Sequence, residues 1–171
     1  MAGSIVECVP NVSEGRDGSV IDRIARAVRS VPGVTLADIH ADPDHHRSVF
    51  TILGPSPDVE AAALALAEAA LAAVDMQRHR GAHPRIGALD VLPFIPLRGM
   101  SIGEAVALAH RVGQMLGARC SLPVYFYGEA ALLPDRGRLS EIRRGGYERL
   151  GKRLPAFLPD VGPARFNPRS G

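Results

Sequence analysis

The sequence predicts an α+β fold: a mixed β-sheet with helices packed on one face, in the order β-α-β-β-α-β-α-β-α. Three observations predict it. Short β-branched runs alternate with segments of helical spacing. Proline and glycine pairs fall between the segments. The expected strands carry polar residues, Glu7, Asp38, His40, Asp90 and Glu129, where a sheet buried on both faces would be apolar.

Each element follows from local signals. Ser4 to Val9 reads as a strand that stops at Pro10-Asn11, and residues 12–18 read as a loop. Ser19 with Asp22 marks a helix start, and Val20, Ile21, Ile24, Val28 and Val31 recur on one helical face before Pro32-Gly33 ends it. Val34 to His40 and Arg47 to Leu53 read as two strands joined by a polar loop. Ser56-Pro57 opens an alanine-rich helix running to about Asp75, with proline near its favoured first position. Leu89 to Leu97 reads as an edge strand because it carries two prolines. Ser101 and Glu104 have capping-box spacing, and Gly117 is the expected stop of that helix. Pro123 to Tyr127 reads as a strong strand, and Leu139 to Leu154 as a weak helix interrupted at Gly145-Gly146. The tail from Pro159 has no periodicity.

The composition narrows the function classes. A chain of 171 residues is expected to form one domain, spanning 1–171. The net charge of +2 is too small to argue for nucleic acid or an anionic membrane as partner. The longest apolar stretch, residues 61–74, contains Glu68 and is too short to span a bilayer. Cys8 and Cys120 follow no disulfide pattern, and the first residues have no leader-like character, so a cytoplasmic location is expected.

The chemistry-bearing residues cluster. His40, His45 and His46 flank the exit of the second strand, and His79 and His83 lie in HRGAHPRIGALD, residues 79–90. The four-residue spacing of His79 and His83 has no metal-binding force, because Gly81 and Pro84 oppose a helix there; no metal is expected. No nucleophile elbow or phosphate loop accompanies them. General acid–base work remains. Pro84 restricts the backbone of His83 and so fixes where the imidazole points, and Arg85 is placed to hold a carboxylate. The plain alternative is a histidine that caps its loop by bonding backbone carbonyls. His110, beside the apolar stripe of its helix, reads as structural.

Four segments in order, ECVPNVSEGR (7–16), DPDHHRSVFT (42–51), HRGAHPRIGALDVLPFIP (79–96) and PVYFYGEAA (123–131), together with the tail PDVGPARFNPRSG, resemble the N-terminal subdomain of glutamate formiminotransferases. The resemblance implies a sheet whose bare face packs toward the sheet of a C-terminal subdomain, with folate in the tunnel between them. It implies transfer of a formimino one-carbon group from N-formimino-glutamate to tetrahydrofolate, a step of histidine degradation, with the folate as substrate.

By the same resemblance, His83 in GAHPR is the catalytic proton shuttle. His40 stands where an acidic residue assists the catalytic histidine in the fused animal enzymes, and is the second catalytic candidate. Substrate- and folate-binding candidates are Asn11, Arg47 and Arg85, with the tail Gly162, Pro163, Ala164, Arg165, Phe166, Asn167, Pro168, Arg169, Ser170 and Gly171 as the folate segment. The sequence departs from the family at His40, at Ala82, where glutamate is usual, and at His46, where asparagine is usual. It stops at Gly171, where a C-terminal subdomain would begin. A homodimer, or a separate chain supplying the C-terminal subdomain, is therefore the expected partner arrangement. A non-catalytic folate- or small-molecule-binding module is the alternative function.

Overall fold

A computed structural model describes residues 4–171. The chain forms β1 (Ile5–Cys8), β2 (Asn11–Val12), α1 (Gly18–Arg29), β3 (Thr35–Asp42), β4 (Arg47–Pro55), α2 (Ser56–Ala73), β5 (Leu89–Val91), β6 (Phe94–Arg98), α3 (Ile102–Cys120), α4 (Leu139–Ile142) and α5 (Gly146–Arg153). The α+β class expected from the sequence holds. Every strand pairing is antiparallel, rather than mixed as expected.

The sheet is built around β4. β1 and β2 lie along one side of it and behave as one strand broken at Pro10, whose missing N–H cannot join a ladder. β3 pairs with its other side. β5 and β6, broken at Pro93, pair with β2 and β1 and form the sheet edge that the two prolines predicted.

Strict alternation along β4 separates two faces. Ser48, Phe50, Ile52 and Gly54 are buried, while Arg47, Val49, Thr51 and Leu53 are only partly covered. The buried set, with Val6 and Cys8 of β1, faces α1, α2 and α3. α2 is covered on several sides, by α1, α3 and the sheet, which its alanines permit by keeping the approach close. The opposite face carries Glu7, Asp38, His40 and Thr51 beside Val49, Ile95 and Leu97, so a half-polar sheet surface is open. Cys8 is fully buried, and burial pushes its thiol well above the usual range, as suits a small apolar residue.

Two expectations about helix ends change. The α1 cap is Asp17, whose carboxylate accepts the backbone N–H of Ser19 and Val20 at 2.9 and 3.3 Å. The Ser101–Glu104 capping box of α3 is present, but the helix continues past Gly117 to Cys120 and stops at Ser121, which takes the left-handed conformation. Gly117 is instead a packing glycine. A Cβ there would meet Val161 Cγ1 at 2.7 Å and Gly162 N at 3.0 Å. Gly117→Ala is therefore expected to push the 159–162 segment off α3 and cost about 1–3 kcal/mol, read as a lower melting temperature.

Residues 123–127 are not a sheet strand. Their hydrogen bonds go to the tail: Val124 forms a single antiparallel bridge with Val161, Phe126 N donates to Asp160 Oδ2 at 2.8 Å, and Tyr125 Oη donates to Phe157 O at 3.0 Å. Phe126 packs on Gly113 of α3, and an apolar cavity of about 280 Å³ separates the segment from β5–β6. The weak C-terminal helix expected from 139 is interrupted around Gly145 and Gly146, as the sequence predicts, giving α4 and α5, and both glycines are at positive φ. His110 Nε2 donates to Ala130 O at 2.8 Å and its ring lies tilted against Phe126, a structural role. Among the described residues, no helix is long and apolar enough to cross a membrane.

Candidate active site

Three segments meet at one end of the sheet: the loop after β2, the β3–β4 turn, and residues 79–85. The turn is rigid because Asp42 accepts the backbone N–H of Asp44 and His45 and contacts the His45 ring at 2.5 Å. Those His45 bonds hold the Asp42 carboxyl down to about 2. Two glycines let the segments close on it. A Cβ on Gly15 would lie 2.3 Å from Asp42 O and 2.5 Å from Arg47 N, and one on Gly81 would lie 2.3 Å from His45 O.

The 79–85 loop is pinned at both ends. His79 is 3% exposed and donates from Nε2 to His46 O at 2.8 Å, while its Nδ1 accepts from Arg85 Nε at 3.0 Å. Those roles fix a neutral ring with the proton on Nε2. Burial is the main cause lowering its pKa below the ordinary histidine value. The His79 and His46 rings stack with centroids 4.3 Å apart. His46 in turn reaches Glu14 at 3.0 Å. Arg85 completes the clamp, bonding both carboxylate oxygens of Glu148 on α5 at 2.8 and 3.1 Å.

Between these anchors lies His83, half-buried. Its Nε2 is 2.7 Å from Arg47 Nη1, which leaves Nε2 as the acceptor and the ring neutral. Burial lowers the His83 pKa most, then the charges of Arg47 and Arg143; Asp90 opposes them. The His45 ring stands edge-on at 6.0 Å. The result is an imidazole with an unprotonated nitrogen, on a loop pinned at both ends and grouped with Ser13, Arg47, His79 and Asp90. Such a group can take a proton from a reacting atom and return it.

The expected site residues divide. His83, Arg47 and Arg85 come together. Arg85, however, is 7% exposed with its N–H groups directed at His79 and Glu148, so the cation beside His83 without a carboxylate is Arg47. Asn11 lies opposite Val49 and donates to Val9 O at 3.1 Å. His40 is exposed on the open face of β3, paired opposite Val49, and is not among the residues grouped around His83.

The tail runs from an exposed start, Gly162 to Arg165, to a docked end. Phe166 packs on Tyr147, Asn167 O accepts from Gly171 N at 2.8 Å, and Pro168 O accepts from Tyr147 Oη at 2.5 Å. Arg169 O accepts from Met76 N at 2.9 Å and Ser170 O from Ala88 N at 2.8 Å. Ser13 donates to Gly87 O at 2.7 Å, so the tail, the strand after His83 and the loop after β2 form one hydrogen-bonded unit.

Sequence reasoning missed Glu14, Arg143 and Glu148. Each acts through a partner 32 to 63 positions away in the chain, and no local spacing marks such pairs.

A family model described as "Formiminotransferase domain, N-terminal subdomain" matches residues 5–171. The chain belongs to this family. It is similar to rat formimidoyltransferase-cyclodeaminase, 47% identical over 98% of this chain and 31% of that protein. It is also similar to the glutamate formimidoyltransferases of Streptococcus pyogenes, 37% identical over 98% of this chain and 56% of the relative, and of Thermoplasma acidophilum, 44% identical over 94% and 54%. The chain thus spans about a third to a little over half the length of these relatives. On this formiminotransferase subdomain, the His83 cluster lies at one end of the sheet whose other face is open.

Proposed function

We propose that this subdomain supplies one wall and the proton-transferring histidine of a glutamate formimidoyltransferase. It takes N-formimino-glutamate and tetrahydrofolate as substrates, and needs no metal. The observation that carries the reading is the neutral His83, fixed on a doubly pinned loop with Nε2 as acceptor. The relatives' names support the reaction class.

In the proposed step, the folate amine attacks the formimino carbon and a C–N bond forms. Its proton passes to His83 Nε2. The tetrahedral intermediate collapses, the bond from carbon to the glutamate nitrogen breaks, and His83 returns the proton to that nitrogen. No oxidant or reductant is consumed. The open half-polar face of the sheet is proposed to take a second wall, either a C-terminal subdomain or a second copy of this chain. The docked tail, 162–171, lies on the same hydrogen-bonded unit as the His83 loop and is proposed to contact the folate. His40, on the open face, would meet the substrates only from that tunnel side.

The pH dependence tests the role of His83. Its pKa lies below the ordinary histidine value, so the neutral base predominates at neutral pH and is lost as pH falls through the lowered value. The acid limb of kcat/KM is expected at lower pH than an unperturbed histidine would give, with no decline at neutral pH. A kinetic pKa near or above 7 in kcat/KM that disappears in His83→Asn would contradict the assignment.

A further inference from the structure

His83 Nε2 is the lone pair a proton acceptor needs, and Arg47 Nη1 occupies it at 2.7 Å. A guanidinium stays charged at any working pH and opposes a positive imidazole beside it. The contact therefore holds the base idle. Arg47 is itself short of partners. Its Nε is buried with no hydrogen bond, and none of the described carboxylates forms an ion pair with it. The nearby acids are engaged elsewhere: Asp42 with His45, Glu14 with His46, Glu148 with Arg85 and Asp90 with Arg143. An unmatched cation with a buried spare N–H sits bonded to the base.

We propose, resting on the transferase reading above, that Arg47 anchors the α-carboxylate of the formimino-glutamate donor, and that this carboxylate draws Arg47 off His83 Nε2 and so releases the base. A carboxylate accepts two parallel bonds from a guanidinium edge, here Nη1–H with Nη2–H, and outcompetes a neutral imidazole for the Nη1–H. The donor's α-carboxylate is two bonds from the leaving nitrogen. A residue that grips it must therefore stand beside the group that reprotonates that nitrogen, as Arg47 does. The glutamate tail of a folate carries the same chemistry but lies at the far end of the molecule from its reacting amine.

Release changes the charge that His83 faces. Arg47 on β4, Arg143 after α4 and His45 in the turn disfavour its protonation, and Asp90 on β5 favours it. Matching Arg47 with a carboxylate removes the nearest opposing charge at the moment the base must accept a proton. The acid limb of kcat, which reports the bound complex, then lies at higher pH than that of kcat/KM.

The test is a pH titration of the His83 ring by NMR on the full chain, with the signal assigned through His83→Asn. N-formyl-L-glutamate serves as an unreactive donor analogue and 5-formyltetrahydrofolate as the folate probe. The expected result is a midpoint raised by about one unit with N-formyl-L-glutamate and unmoved by the folate. Arg47→Gln should raise the midpoint in the free protein and abolish the response to the analogue, whereas Arg47→Lys should keep a weakened response. An unmoved midpoint with N-formyl-L-glutamate, a shift with the folate alone, or wild-type titration in Arg47→Gln overturns the proposal. A shift with the analogue in a chain that transfers no formimino group, either alone or with a C-terminal subdomain supplied, would sink the transferase reading and leave the carboxylate exchange standing.

Discussion

His83→Asn is expected to lower formimino transfer by about 10²- to 10⁴-fold, the usual worth of a positioned general acid–base, while leaving the melting temperature nearly unchanged. The ring is half-buried, and its one side-chain hydrogen bond is to Arg47. Asparagine can accept that bond through its amide oxygen, so Arg47 keeps a partner. The loop is held by His79 and Arg85 rather than by His83. Rate and stability are therefore separable at this position. A variant that keeps near-normal kcat would remove His83 from the mechanism, and one that unfolds would show that the loop depends on it.

The largest stability effect is expected at Asp160→Ala. Arg136 and Asp160 form an ion pair at 2.5 Å with both side chains only 5% exposed. The Arg136 guanidinium lies against the rings of Tyr125 and Phe157, at 5.3 and 4.9 Å from their centroids, and donates to Leu158 O at 2.6 Å. Asp160 also accepts the backbone N–H of Phe126. Alanine would leave a buried guanidinium without its counter-ion and orphan that N–H, costing about 3–5 kcal/mol, a large part of a domain's stability. Replacing both partners, Arg136→Met with Asp160→Leu, should cost less than the single change. Chemical denaturation checks this; a single-variant loss below about 1 kcal/mol would mean that the pair holds nothing together.

That pair also explains where the sequence was legible and where it was not. α3 could be read from Ser101 and Glu104 because a capping box is contained in four adjacent residues. The broken edge strand was legible because Pro93 and Pro96 cannot donate to a ladder. PVYFY misled because its apolar run is satisfied by α3 and its backbone by Asp160 and Val161, residues more than thirty positions away that propensity does not register. Gly117 misled in the same way: a glycine near a helix end is a stop signal locally, and only the approach of Val161 makes it a packing site. In the candidate site, the histidine cluster and the conformational restraint on His83 were visible in HPR. The division of labour between Arg47 and Arg85 was not, because it is decided by Glu148 on a distant helix. Separation in the chain, more than residue type, set the limit.

The most direct test of the account is formimino transfer from N-formimino-L-glutamate to tetrahydrofolate, measured for the wild-type chain and His83→Asn in parallel, each alone and with a separately produced C-terminal subdomain. Transfer by the wild type is expected in at least one of the two conditions, with a loss of about a hundredfold or more in the folded variant. Equal transfer by both proteins, or none by the wild type in either condition, would contradict it.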